Sequence, residues 1–163
     1  VAEISILVSD CPESGAVKIA KERGIAVFAF YPQDYQNKQE YESKICNILK
    51  ENRVDLIVLA GYMRILGSTL LQTYNQRIIN IHPSLLPQYK GLDAIGQALS
   101  DGAKQTGVSI HYVDEGIDTG KIIIQKSIKI KKDETRENLE ARIHKIEHQL
   151  YPKTIKKLLE EMK

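Results

Sequence analysis

An α/β fold, with a mostly parallel sheet covered by helices on both faces, is predicted by two observations. The first half of the chain alternates strand and helix patterns, and its strand positions are short, near-continuous apolar runs rather than alternating ones. A late strand pair and a long final helix complete the pattern. Residues 4–8 are apolar and β-branched and read as a buried strand, followed by a turn at Ser9-Asp10-Cys11-Pro12. Residues 15–23 have helical spacing, with Val17, Ile19 and Ala20 inward, and Gly24 stops them. Residues 26–29 form a second strand, and residues 41–52 repeat Ile45, Ile48 and Leu49 at helix period. The run VDLIVLA (54–60) and the run 78–81 are further strands. After Pro87 the rhythm changes. Residues 92–99 suggest a helix, residues 107–113 and 121–130 a strand pair, and Thr135 opens the last helix with Asp133, Glu134 and Glu137 near its positive end. In the second strand of that pair Ile122, Ile124, Ile128 and Ile130 are expected on one face, with Lys129 and Lys131 on the wet one.

With 163 residues the chain fits one domain, 1–163, and neither repeats nor linkers divide it. A net charge of +2 gives no reason to expect a nucleic-acid partner. No apolar run approaches the roughly 20 residues a membrane span needs. The late lysines (Lys126, Lys129, Lys131, Lys132, Lys153, Lys156, Lys157) read as a solvated face, with attraction of anionic substrates as the alternative. Cys11 and Cys46 have neither metal spacing nor a disulfide framework, which suits a reducing cytoplasm.

In open α/β sheets ligands gather at the carboxyl ends of strands. Two strands here end in chemistry-bearing residues. VDLIVLA runs into Gly61-Tyr62-Met63-Arg64-Ile65-Leu66, and the next strand ends in Asn80-Ile81-His82-Pro83. A period of two puts Asn80 and His82 on one face, and Pro83 keeps His82 extended. An amide there can donate to an oxyanion as a carbonyl becomes tetrahedral, and an imidazole can move a proton near neutral pH. Asp118, in the loop Asp114-Glu115-Gly116-Ile117-Asp118-Thr119-Gly120, is the third candidate, since a carboxylate near an imidazole favours its charged form.

At these residues the chain resembles the glycinamide ribonucleotide (GAR) transformylases, folate-dependent formyltransferases. The matching stretches are LAGYMRIL (59–66), INIHPSLLP (79–87), GLDAIGQAL (91–99), GVSIHYVDEGIDTG (107–120) and EHQLYP (147–152). The resemblance implies a Rossmann-like formyltransferase fold. It also implies transfer of the formyl group of 10-formyltetrahydrofolate, a co-substrate, to the GAR amine in purine biosynthesis, with no metal. Catalysis then falls on Asn80, His82 and Asp118. Folate binding falls on Lys38, Met63, Arg64, Ile65, Leu66, Asn80 and the loop Asp114, Glu115, Gly116, Ile117 and Asp118. GAR binding falls on Gly61, Met63, Pro83, His144, Lys145, Ile146 and Glu147, the last on the family's ribose-binding glutamate. The partners implied are small molecules, with no nucleic acid and no membrane, and the protein is expected as a monomer or homodimer.

The family pattern opens with a strand, a GxGSN turn whose amides cradle the GAR phosphate, and a helix. None of these stands here, and Val1 aligns with the strand that follows. The chain is therefore expected to be an N-terminally truncated domain, short by roughly one βα unit of about 25 residues, with ladder groups left unpaired. Lys121 stands where many relatives have Pro, and His144 where some have Lys. Two alternatives follow: a folate-binding fragment without catalysis, and a formyltetrahydrofolate hydrolase, although the latter usually shows His-His where this chain has His82-Pro83.

Overall fold

The computed structural model describes residues 2–163; the alignment of Val1 with a family strand lies outside the described residues. The elements run β1 (Ile6–Ser9), α1 (Gly15–Glu22), β2 (Ala26–Ala29), a 3-10 turn (Pro32–Asp34), α2 (Lys38–Glu51), β3 (Ile57–Leu59), α3 (Ser68–Thr73), β4 (Ile78–His82), α4 (Ala94–Ser100), β5 (Gln105–Tyr112), β6 (Ile122–Lys129) and α5 (Arg136–Glu161). The α/β class, the late strand pair and the long final helix expected from the sequence are all present, and α5 is 26 residues long. The strands form two hydrogen-bonded sheets, β1-β2 and β3-β4-β5-β6. The β1–β2 pair is parallel, while β5 runs antiparallel to both β4 and β6.

The chain divides into two compact units. The first comprises the residues up to Ile57 together with Tyr62–Asn75, and the second Val58–Gly61 together with Gln76–Lys163. In the first, α1 begins where Ser14 accepts from the Val17 N–H, and Val17 and Ala20 are its buried residues. Helix α2 starts earlier than its apolar period indicates, because Asn37 accepts from the Glu40 N–H while the Glu40 carboxylate accepts from the Gln36 N–H. Tyr41, Ile45, Cys46 and Leu49 are its buried apolar face. Phe28, Phe30, Tyr35 and Tyr41 form a chain of ring contacts, with the Lys44 ammonium over Phe28 and Tyr35. Strand β3 is shorter than the run VDLIVLA, since the Val54 N–H is taken by the Leu49 carbonyl in closing α2.

In the second unit Ile95, Val108, Leu139 and Ile143 make a fully packed cluster, against which Ile81, Leu99, Ile128, Ile130 and Ile146 pack. Strand β6 departs from its expected clean alternation. A bulge between its pairings with Ile110 and His111 displaces Ile123, and Ile122 and Ile124 stay well exposed at the sheet edge. Thr135 caps α5 by accepting from the Asn138 N–H. Far along α5, the buried Tyr151 hydroxyl lies 2.7 Å from the Leu59 carbonyl and 3.2 Å from that of Ile79, so its one hydrogen is shared between the last residue of β3 and the second residue of β4. Burial pushes its ionisation up, which keeps it a donor.

Replacing Tyr151 by Phe is expected to lower stability by about 1 kcal/mol, the net worth of one such hydrogen bond. Urea unfolding measures it, and a variant as stable as the parent would mean that the hydroxyl contributes nothing to holding the two strands.

Candidate active site

Strand β4 places Asn80 and His82 on one face, and the antiparallel register sets His111 opposite Asn80 and Ser109 opposite His82. Because directly opposed residues share a face, four polar side chains from two strands converge. His82 and His111 are buried. Asp118 reaches them from the 113–121 loop, with Oδ2 3.4 Å from His82 Nδ1 and Oδ1 3.6 Å from His111 Nε2. Its side chain is 12 % exposed. The Gly91 N–H donates to the same Oδ2 at 2.8 Å.

These contacts fix proton positions. His111 Nδ1 lies 2.8 Å from the Tyr112 carbonyl, which can only accept, so Nδ1 donates, while Nε2 lies between Asp118 Oδ1 and the Asn80 amide. The Asn80 amide nitrogen lies 3.4 Å from His111 Nε2. His82 Nε2 is 2.8 Å from the Tyr89 carbonyl, while Nδ1 faces Asp118. Both partners are acceptors, so the surroundings of His82 favour donation from its ring nitrogens.

The surrounding loops are held from the backbone outward. Ser109 Oγ donates to the Ser84 carbonyl at 2.6 Å and accepts from the Leu86 N–H, and Gln125 ties both Ser109 and the Leu86 carbonyl. Asp118 adopts a left-handed backbone, φ 53°, which aspartate tolerates better than most residues. Asp114 Oδ1 accepts from the Thr119 hydroxyl and the Gly116 N–H, and these bonds hold its carboxyl below the usual range. A side chain at Gly120 would collide with the Tyr112 carbonyl, and one at Gly116 with Thr119, so both glycines are needed for close approach. Lys121 contributes its carbonyl, which accepts from the Tyr112 N–H; proline also has that group. Glu115 and Ile117 are exposed on the loop.

On α5 the sequence-predicted residues diverge. Lys145 is exposed and Ile146 packs against the core cluster. His144 stacks near His148, their ring centroids 6.5 Å apart. Glu147 is half-buried; burial raises its carboxyl, opposed by the charges of His144, His148 and His82. Pro83 is half-buried beyond β4, and Gly61 has φ 68° at the end of β3. In the first unit, Arg64 Nε donates to Asp10 at 2.6 Å, Met63 and Ile65 are exposed, Leu66 is buried, and Lys38 lies along α2 with Nζ 4.0 Å from Glu42. Sequence reasoning did not single out His111, Ser109 or Gln125. Their signal was the antiparallel register, which becomes legible only once the strands are paired. Among the described residues no group of three or more His, Cys, Asp or Glu side chains could hold a metal ion. Nor is any helix there long and apolar enough to cross a membrane.

This α/β architecture brings an amide, two imidazoles and a carboxylate together beside the end of β4. The profile of the Formyl transferase family matches residues 1–155, and the chain belongs to that family. It is similar to phosphoribosylglycinamide formyltransferase of Bacillus subtilis (strain 168), at 51% identity over 158 residues, 97% of this chain and 81% of that protein. Among solved structures it is similar to phosphoribosylglycinamide formyltransferase from Bacillus halodurans, with TM-score 0.94, 48% identity, and 99% of this chain and 83% of that one covered. Glycinamide ribonucleotide transformylase 1 from Geobacillus kaustophilus gives TM-score 0.94 and 48% identity, with 97% and 84% covered.

Because the folded state binds the Glu147 proton more tightly than the unfolded chain, stability rises as pH falls through the raised value towards the ordinary 4.5. Above that window the charged, half-buried carboxylate is a cost. Glu147→Gln is therefore expected to unfold at a higher temperature than the parent at pH 7, with the gain vanishing below the ordinary 4.5. A variant less stable than the parent at pH 7 would mean that its histidine neighbours outweigh burial.

Proposed function

We propose that this chain transfers the formyl group of 10-formyltetrahydrofolate to the amine of glycinamide ribonucleotide, in purine biosynthesis in the cytoplasm. The observation that carries the reading is the Asp118 carboxylate facing both His82 and His111, beside the Asn80 amide, whose nitrogen lies 3.4 Å from His111 Nε2. Family membership and the names of the similar proteins support the same substrates.

In this reading the GAR amine attacks the formyl carbon and a C–N bond forms; the attacking nitrogen then gives up a proton, and the bond to the folate nitrogen breaks as that nitrogen takes one. Asn80 donates an amide hydrogen to the formyl oxygen as negative charge develops there. The His82 imidazolium adds positive charge beside it, and Asp118 stabilises that cation and, through a water, helps move the proton toward the departing nitrogen. Holding both substrates removes much of the entropy of a bimolecular encounter. Met63, Arg64, Ile65, Leu66, Lys38 and the 114–118 loop are assigned to the folate. Gly61, Met63, Pro83, His144, Lys145, Ile146 and Glu147 are assigned to GAR, with Glu147 for the ribose hydroxyls.

A formyl-transfer assay with both substrates tests the reading. His82→Ala is expected to lose about 10²–10³ in turnover, the usual worth of one group stabilising a developing oxyanion. Asp118→Asn is expected to lose turnover with folate binding nearly unchanged. Normal activity in Asp118→Asn would remove the carboxylate from the mechanism, and a parent chain unable to formylate GAR would refute the substrate assignment.

A further inference from the structure

The segment from Tyr62 to Gly67 combines exposed apolar side chains with a tightly held backbone. Met63 is 72% exposed and Ile65 52%, yet Leu66 between Ile65 and Gly67 is buried. Arg64 is fixed to Asp10 by a 2.6 Å bond. The Tyr62 hydroxyl is buried and, among the described residues, has no hydrogen-bond partner; burial, with Tyr41, Asp10 and Glu42 nearby, pushes its ionisation up. At the far end Gly67 precedes α3 and has no side chain with which to cap it.

That end is closed by Glu42. This glutamate of α2 is 2% exposed, and both of its carboxylate oxygens lie 2.9 Å from the Gly67 N–H. Lys38, one turn earlier and 4.0 Å away, is its ion-pair partner. A Cβ on Gly67 would collide with Glu42 Oε2, so the carboxylate fills the space a side chain would take. Burying a carboxylate is costly unless it is hydrogen-bonded and paired. An apolar residue would cover α3 at lower cost, but it would leave the Gly67 N–H without its acceptor and the loop end free to move.

We infer that Glu42 is a positioning residue, which holds Gly67 and thereby presents Met63 and Ile65 as a preorganised apolar wall for the ring system of the folate. The inference rests on the folate reading proposed above. A preorganised wall lowers the cost of ordering the loop on binding, so its loss appears in folate affinity rather than in the chemical step.

The test compares the whole chain with Glu42→Ala and Glu42→Gln, by steady-state kinetics against each substrate and by hydrogen–deuterium exchange across residues 62–67. Glu42→Ala is expected to raise KM for the 10-formyl folate about tenfold, the size of one lost charge-assisted hydrogen bond, with KM for GAR and kcat within about twofold of the parent. Exchange across 62–67 is expected to accelerate while that of α5 does not change. Glu42→Gln keeps a carbonyl oxygen for the Gly67 N–H and is expected to restore both readouts. Should Glu42→Ala not fold, Gly67→Ala displaces the same contact and is expected to give the same split. Parallel rises in both KM values, or unchanged exchange across 62–67, would overturn the inference. A parent chain without formyl transfer would refute the folate reading separately. Exchange alone would then decide the positioning role: acceleration rescued by Glu42→Gln sustains it, and no acceleration overturns it.

Discussion

The Asp118 carboxylate, placed against two buried imidazoles, is the contact on which the geometry of the candidate site depends. Its two oxygens are not equivalent. Oδ2 takes the Gly91 N–H and faces His82, while Oδ1 faces His111. In a site this poorly solvated the attraction between a carboxylate and an imidazolium is far stronger than in water. The tautomers follow from this arrangement together with two backbone carbonyls, those of Tyr89 and Tyr112, which commit His82 Nε2 and His111 Nδ1 as donors. The Asn80 amide stands beside them, its nitrogen 3.4 Å from His111 Nε2, on the face that the strand register sets.

Backbone strain is concentrated around this contact. Arg53, Gln76 and Asp133 also have positive φ, and Arg53 sits where α2 closes. Tyr89, Gly91, Asp93 and Asp118 are different, because each is tied to the site or to the helix beside it. Tyr89 aims its carbonyl at His82, Gly91 aims its N–H at Asp118, and Asp93 caps α4 by accepting from the Gly96 N–H. Left-handed backbone at non-glycine residues persists only where the surroundings over-determine it. Here the over-determination comes from the Ser84–Ser109–Gln125 bonds below and the Asp114–Thr119–Gly116 turn beside it.

Much of this was legible in the sequence, for reasons that also explain what was not. Apolar runs and capping residues located most of the elements, because burial and helix ends are local properties: Thr135 does cap α5, and residues 26–29 are β2. Short α3 was missed, since Gly67 offers no capping side chain and its cap comes from Glu42, 25 positions away. The bulge that breaks the pattern of β6 is likewise a property of pairing. At the site, period two sets Asn80 and His82 on one face, and Asp118 stands out as a carboxylate in a glycine-flanked loop. His111 does not, because a histidine in the middle of a buried strand gains its meaning only from the residue paired across from it, here Asn80.

Helix α5 joins the structural and chemical requirements in one element. Glu147 and Tyr151 are four residues apart and so share a face. Tyr151 addresses the carbonyls of Leu59 and Ile79, the residue before Asn80, while Glu147 lies close enough to His82 for the two charges to interact. The same face that anchors β4 therefore carries a half-buried carboxylate toward the imidazole. A rotation of α5 that relieved the burial of Glu147 would also pull the Tyr151 hydroxyl from β4 and shift Asn80. The buried acid is thus retained by a helix whose orientation is fixed for another reason, which is how a locally unfavourable group can persist beside the reacting centre.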